Sequence, residues 1–283
     1  MNRSVFVTVL MGLVVVLAGC SGGVTDETTT TGAGAGNDVT TTTTQTTTMG
    51  EPYTASGDDL DATTLAGAHE AALKNAGSFT NQLNISVDTT NGTLDLNAAT
   101  RVNLNDGTAT QTNLLAFDEF RFESTVYTAG SSSYERTYFQ SNDSEYTEYR
   151  QGSEPYTNME ETEPVDVTES MQIDIVTDTV DGADWTQVGV EQFDGVSVTR
   201  YEAKGVESFR DLREDIDPAS NQTITNAQAV LLVDENGIAR FIEIRFDVED
   251  DDVSGTIYLI STMTDVGTTT VAEPDWLDRA KQS

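Results

Sequence analysis

Residues 83–104 read LNISVDTTNGTLDLNAATRVNL, and their period decides the fold. Leu83, Ile85 and Val87 alternate with polar neighbours. Asn91-Gly92 is a dipeptide favoured in tight hairpin turns, and Leu94, Leu96, Ala98, Val102 and Leu104 then fall on even positions. A period of two puts every second side chain on one face of a pleated strand. The stretch therefore predicts two antiparallel strands sharing one apolar face.

The same rhythm continues downstream. Asn105-Asp106-Gly107 turns the chain, and Phe120, Phe122 and Val126 alternate after it. A serine turn at 131–133 leads to Tyr134, Tyr138 and Phe139, and Ser141-Asn142-Asp143-Ser144 leads to Tyr146 and Tyr149. Further strands are predicted at 185–191 and 196–204, joined by Asp194-Gly195. Others are predicted at 229–233, 241–248 and 256–263, with a turn at Asp234-Glu235-Asn236-Gly237. Consecutive strands with short turns make an antiparallel sheet, one face apolar and the other rich in Thr, Asn, Glu and Arg.

Three stretches carry a helical period instead. Leu65, Ala68, His69, Ala72, Leu73 and Ala76 form one helical face, with Asp61 or Thr63 as N-cap and Gly77 closing the end. Val167, Met171, Ile175 and Val176 predict a helix within 165–182. Phe209, Leu212 and Ile216 predict a short one over 206–216, ended by Pro218. Helices must cover the sheet's apolar face, which is an α+β arrangement.

Upstream the chain changes character twice. Residues 1–19, with Cys20 after them, have a positive Arg3, an apolar run from Val5 to Ala18 and the closing Leu17-Ala18-Gly19-Cys20. An apolar run of 14 residues is short for a membrane span but suits a signal peptide. Arg3 stands alone, so the export route reads as Sec-like. Residues 20–57 hold threonine runs at 28–31, 40–44 and 46–48 around Gly32-Ala33-Gly34-Ala35-Gly36. So little apolar surface cannot offset the entropy of ordering, and the segment reads as a disordered tether, bare or O-glycosylated. The folded domain is expected over 58–283.

Charge and rare residues narrow the function. The chain of 283 residues has 14 Lys+Arg against 48 Asp+Glu, a net charge of −34, with only Lys74, Lys204 and Lys281 as lysines. Such a surface repels nucleic acid. Acids in small clusters with few lysines read as adaptation to molar salt, where the Debye length is roughly 3 Å; a cation-binding or basic-partner role is the other reading. One histidine and one cysteine exclude a disulfide framework, a zinc finger and a thiol–histidine triad. No nucleophile-elbow, zinc-protease, phosphate-loop or dinucleotide motif is present, so no enzyme, metal or cofactor is expected. His69 reads as a packed residue, and the acidic run Glu249 to Asp252 as a solvated turn. Asn84, Asn91, Asn142 and Asn221 each open an N-x-S/T sequon.

Leu17-Ala18-Gly19-Cys20 resembles the lipobox of secreted lipoproteins, in which the cysteine is lipidated and becomes the mature N-terminus. The lipobox, tether, amphipathic first helix and large antiparallel sheet together resemble the LolA and LppX/LprG lipoprotein carriers. So do the hairpin Leu232 to Ile244 and the close Ser261 to Thr268 with Val271 and Pro274. The whole chain also looks like the Thr-tethered lipoproteins of halophilic archaea. The resemblance implies a half-barrel: a large curved antiparallel sheet with helices on its concave face and an apolar groove for lipid chains. It also implies a protein exported and held on the outer face of the membrane through lipidated Cys20.

Inward candidates for such a groove are Leu83, Ile85, Leu94, Leu96, Phe120, Phe122, Met171, Ile175, Leu232, Ile244 and Phe246. They either line a cavity or fill a dry core, which would make the protein an envelope interaction module without a ligand. The six tyrosines between Tyr127 and Tyr156 either rim the groove or are half-buried strand residues. No motif names a protein partner.

Overall fold

The hairpin read from residues 83–104 is one edge of a much longer ladder. Ser78–Thr89 (β1) pairs with Gly92–Asn103 (β2) in a register that sets Ile85 opposite Leu96. In the computed structural model the residues described are 60–90, 92–152, 165, 167–209, 223–249 and 254–283. By contacts the chain divides into residues 1–51 and 52–283, and every described element lies in the second unit. The leader, Cys20 and the Thr-rich tether are outside the described residues. So are Asn91, Asn221, Tyr156, Leu212, Ile216, Pro218 and Asp250 to Asp252.

Nine more strands extend this hairpin into a single sheet. Thr108–Phe117 (β3), Phe120–Ala129 (β4), Ser132–Gln140 (β5) and Glu145–Gln151 (β6) continue the first meander. Thr186–Phe193 (β7), Val196–Lys204 (β8), Thr223–Asp234 (β9), Ala239–Glu249 (β10) and Ser254–Thr264 (β11) make the second. The strand order is β6-β5-β4-β3-β2-β1-β11-β10-β9-β8-β7, antiparallel throughout. The β1–β11 pairing joins the two meanders, and β6 and β7 are left as edges. The sheet is therefore a curved, unclosed half-barrel, as expected. The strand β3 is an addition, since alternation did not mark it.

Helices cover the concave face. Ala62–Ala76 (α1) starts at Asp61, whose carboxylate accepts the Thr64 N–H at 2.7 Å, and ends at Gly77 in the left-handed region at φ 74°. Leu65, His69 and Leu73 are buried on its inner face. The helix expected over 165–182 is two pieces, Val167–Ser170 (α2) and Ile173–Asp181 (α3), broken at Met171-Gln172. Gln172 takes φ 56°, unusual for a side-chain-bearing residue. Its amide explains the break: Nε2 donates to Asn81 Oδ1 at 2.8 Å, and Oε1 accepts from Ser261 Oγ. Of the predicted 206–216 helix, Val206–Phe209 is a 3-10 turn, and 210–216 lie outside the described residues.

Three clusters organise the packing. The largest sets Ala62, Leu65, Val176, Val180 and Phe209 against β8, β9 and β10. A second gathers Leu73, Phe79, Val102, Ala109, Met171 and Met263 beneath α2 and the end of α1. The third lies on the opposite, convex face. There Trp276 and the last helix, Leu277–Ala280 (α4), pack on Tyr127 and Tyr134.

A candidate apolar site on the concave face

Register turns the strand patterns into rows. Directly opposed residues share a face, so one row can be followed from strand to strand. From β8 to β6 it runs Ala203, Ala229, Ile244, Leu259, Ile85, Leu96, Leu115, Phe122, Phe139 and Tyr146. The next row runs Phe246, Ile257, Val87, Leu94, Phe117 and Phe120. The β8–β10 end of these rows is covered by α1, α3 and the 3-10 turn. From Ile85 to Tyr146 the residues belong to none of the three clusters formed by the described residues. Leu96, Leu115, Phe122 and Phe139 are half-buried, Phe117 is 37 % exposed and Tyr146 47 %. Phe139 meets Phe120 edge-on at 5.3 Å and stacks on Tyr146 at 5.1 Å.

Beside this stripe lies a polar band on the same face. One step along the strands, about 7 Å, stand Asn113, Ser124, Thr137 and Glu148, one on each of β3 to β6. One step further stand Gln111, Val126, Glu135 and Arg150. Ser124 donates to Glu135 at 2.7 Å, Gln111 donates to Asn113 at 3.2 Å, and Arg150 bridges Glu148 at 2.8 Å and Glu135 at 3.6 Å.

A family profile matches residues 5–280. The chain belongs to a family of unknown function, DUF7537. None of the curated proteins compared with it matches. Solved structures similar to this family member include lipoprotein LppX of Mycobacterium tuberculosis, at 14% identity and TM-score 0.32, covering 75% of this chain and 98% of that one. LprF of Mycobacterium bovis is similar at 11% identity and TM-score 0.33, covering 80% and 99%. A putative outer membrane lipoprotein-sorting protein domain of Vibrio parahaemolyticus is similar at 11% identity and TM-score 0.23, covering 78% and 98%.

In this DUF7537 chain the predicted groove residues divide into four groups. Ile85, Leu94, Leu96, Phe120 and Phe122 lie on the two rows outside the clusters, and Leu83 lies on the row that continues through Ala98 to Asn113 and Ser124. Ile244 and Phe246 lie on the same rows beneath the helices. Met171 and Ile175 come from the helical cover: Met171 is fully buried in the second cluster and Ile175 packs against the first. Leu232 is a correction. Its neighbour Leu231 faces the concave core, so Leu232, opposite Phe241, points to the convex face. Val230 to Val233 are all apolar, so strand parity is hidden there.

Sequence reasoning missed Leu115, Phe117, Phe139, Ile257, Leu259 and the whole polar band. Leu114-Leu115-Ala116-Phe117 is a continuous apolar run that shows no period, although the aromatic opposition at Phe120 could have flagged it.

Of the five described tyrosines between residues 127 and 156, four do not rim the stripe. Tyr127, Tyr134, Tyr138 and Tyr149 point to the convex face, and only Tyr146 stands on the concave one. Asn142 is exposed in the β5–β6 turn, and Asn84 is half-buried on the convex side of β1.

His69 is structural. Its Nε2 donates to the Met171 carbonyl at 2.7 Å, and its Nδ1 accepts the Ala239 N–H at 3.1 Å. Those roles define a neutral imidazole with the proton on Nε2. Burial pushes its pKa below the ordinary value, and Arg240 adds to that, while the Met171 bond and Asp234 oppose it. Among the described residues, no group of three or more His, Cys, Asp or Glu side chains could hold a metal. A shallow depression of about 240 Å³, lined by Arg200, Glu202, Lys204, Gln228 and Glu243, lies on the convex face. Its bases are paired with neighbouring acids.

Proposed function

We propose that this chain is a non-enzymatic lipoprotein, exported and held on the outer face of a halophile's membrane through lipidated Cys20. Its half-barrel binds or hands on an apolar molecule. One observation supports the binding role most directly: the apolar row crosses seven strands from β11 to β6, of which, among the described residues, only Leu259 packs against a helix-covered cluster. At about 4.8 Å per strand, six spacings give about 29 Å along the curve, long enough to lay an alkyl chain across the sheet. Half-buried leucine and phenylalanine supply the affinity through apolar area removed from water. In this reading Cys20 holds the protein at the lipid source, and the tether over 21–57 lets the half-barrel reach it. The acidic surface keeps the protein soluble in molar salt.

Uptake of a fluorescent alkyl probe by the anchored chain in molar KCl tests the reading. Wild type should take up the probe, and Phe122→Glu, which places a charge in the row, should lower uptake by about tenfold or more. Equal uptake by both proteins would leave an envelope module with no ligand in this sheet.

A further inference from the structure

The two edges of the sheet differ in kind. Among the described residues β7 (TQVGVEQF) has a paired neighbour on one side only, and it carries a single charged side chain, Glu191. Charges commonly blunt an exposed edge against further pairing, and β6 follows that rule with Glu145, Glu148 and Arg150 in seven residues. On β7 stand instead the two most exposed large apolar side chains of the described residues, Val188 at 56 % and Val190 at 67 %. A bulge at Gln187/Gly189 sets Val188 outside the β8 register, and residues 189–193 then pair with β8 without interruption.

The one acid of this edge has a matching base one strand in. Arg200 stands opposite Leu232 on the convex face, and Gly189 lies opposite Arg200, between it and the open edge. Arg200 holds Glu202 through Nε at 2.8 Å and Glu191 through Nη1 at 3.3 Å, and its Nη2 meets no partner among the described residues. A Cβ on Gly189 would meet nothing within 4 Å, so the space over the glycine is open.

We propose that β7 is the docking edge for a second copy of this chain, paired antiparallel about a two-fold axis at Val190. This register sets Val190 against its own copy and Gln192 opposite Val188. It sets each Glu191 opposite Gly189 of the other copy, on the convex face. There the carboxylate reaches over the glycine to the other copy's Arg200, and symmetry repeats the contact. An axis at Glu191 would instead face two carboxylates. Pairing takes the valines out of water. The net charge of −34 on each copy does not forbid it, because molar salt screens that field beyond roughly 3 Å. The inference goes beyond the carrier reading and stands without it. The helix-covered ends of the two sheets meet, and the uncovered rows that end on β6 face away from the junction.

Val190→Cys tests it by placing two thiols on the axis. Opposed residues of an antiparallel pair have Cβ atoms about 5 Å apart, close enough for a disulfide after a small shift. The full chain in its own membranes, at molar KCl, is oxidised with copper–phenanthroline and run on a non-reducing gel. Wild type, with Cys20 as its one cysteine, sets the background. Val190→Cys should give about tenfold more linked dimer than Tyr146→Cys, an exposed position on the opposite edge. Adding Gly189→Glu to Val190→Cys should lower the linked dimer about tenfold, because the new carboxylate faces the other copy's Glu191 and takes Arg200 for itself. Linkage no greater at 190 than at 146 would overturn the proposal. So would linkage at 190 that Gly189→Glu leaves unchanged.

Discussion

Ala239 hands its backbone N–H to Nδ1 of His69, 170 residues away, at 3.1 Å. The other ring nitrogen donates to the Met171 carbonyl, 102 residues away, at 2.7 Å. One neutral imidazole thus ties α1 to the β9–β10 hairpin on one side and to the break between α2 and α3 on the other. A protonated ring would carry two N–H groups, and Nδ1–H would face the Ala239 N–H with no acceptor between them.

Acid should therefore loosen the helical cover. Burial lowers the folded pKa of His69 from 6.5, so below that pH the unfolded chain binds a proton that the folded chain refuses. The contribution is whole above the unfolded value and falls as pH drops through the window below it. Unfolding followed in molar salt at pH 7.5 and 5.5 should show a loss on the order of 1 kcal/mol at the lower pH. His69→Leu should be less stable at both and lack that histidine-dependent loss. A wild type equally stable at both pH values contradicts the account.

Asp234 holds the same hairpin from within. Its Oδ2 accepts from Arg240 Nε at 2.7 Å, and its Oδ1 accepts the N–H groups of Asn236 and Ile238 at 2.9 and 3.0 Å. Both side chains are buried. Arg240→Leu strands the carboxylate and should cost about 3–5 kcal/mol in chemical denaturation. A cost below about 1 kcal/mol, in the range of surface pairs, would mean the pair is effectively solvated.

How much of this was legible in the sequence depended on pattern. The hairpin at Asp194-Gly195 announced itself through turn chemistry, and φ of 49° and 78° shows both loop residues in the left-handed region that a two-residue turn favours. The Asn91-Gly92 signal was one residue out: Gly92 pairs with Thr89 as the first residue of β2. The first helix was legible because its apolar period is long and its caps are explicit. The break at Gln172 was not, because its cause is tertiary: Asn81 and Ser261 stand on strands remote in sequence. The candidate site was half legible. Alternation identified Ile85, Leu96 and Phe122 one strand at a time, but only the register shows them on one row. Leu232 went to the wrong face because apolar neighbours erased its parity.

The junction of the two meanders is tight at Gly255. A Cβ there would meet the Asp88 carbonyl oxygen at 2.5 Å and Thr89 Cγ2 at 2.8 Å. Gly255 stands opposite Thr89 where β1 meets β11. Gly255→Ala must push that pairing apart and should cost about 1–3 kcal/mol in unfolding free energy. No measurable change would place the strand ends further apart than described.

The C-terminal segment acts as a strap on the other face. Thr269 meets Thr80 at 2.9 Å, and Trp276 packs on Tyr149 at 6.5 Å with Arg279 over the same ring at 5.6 Å. Trp276→Ala removes the largest side chain of that cluster, buried at 5 % exposure, at a cost of about 3–5 kcal/mol. Hydrogen exchange should accelerate in β5 and β6 and stay unchanged in β9 and β10. Uniform acceleration would show that the strap serves the whole sheet.

The most direct test of the central claim is what the protein carries when it leaves its own cell. The anchored chain is purified from a high-salt host, extracted with organic solvent and analysed by mass spectrometry for molecules not covalently attached. The account predicts a stoichiometric alkyl or isoprenoid amphiphile, lost in the Phe122→Glu variant. A clean extract from wild type, with no uptake of added lipid at molar salt, would contradict it.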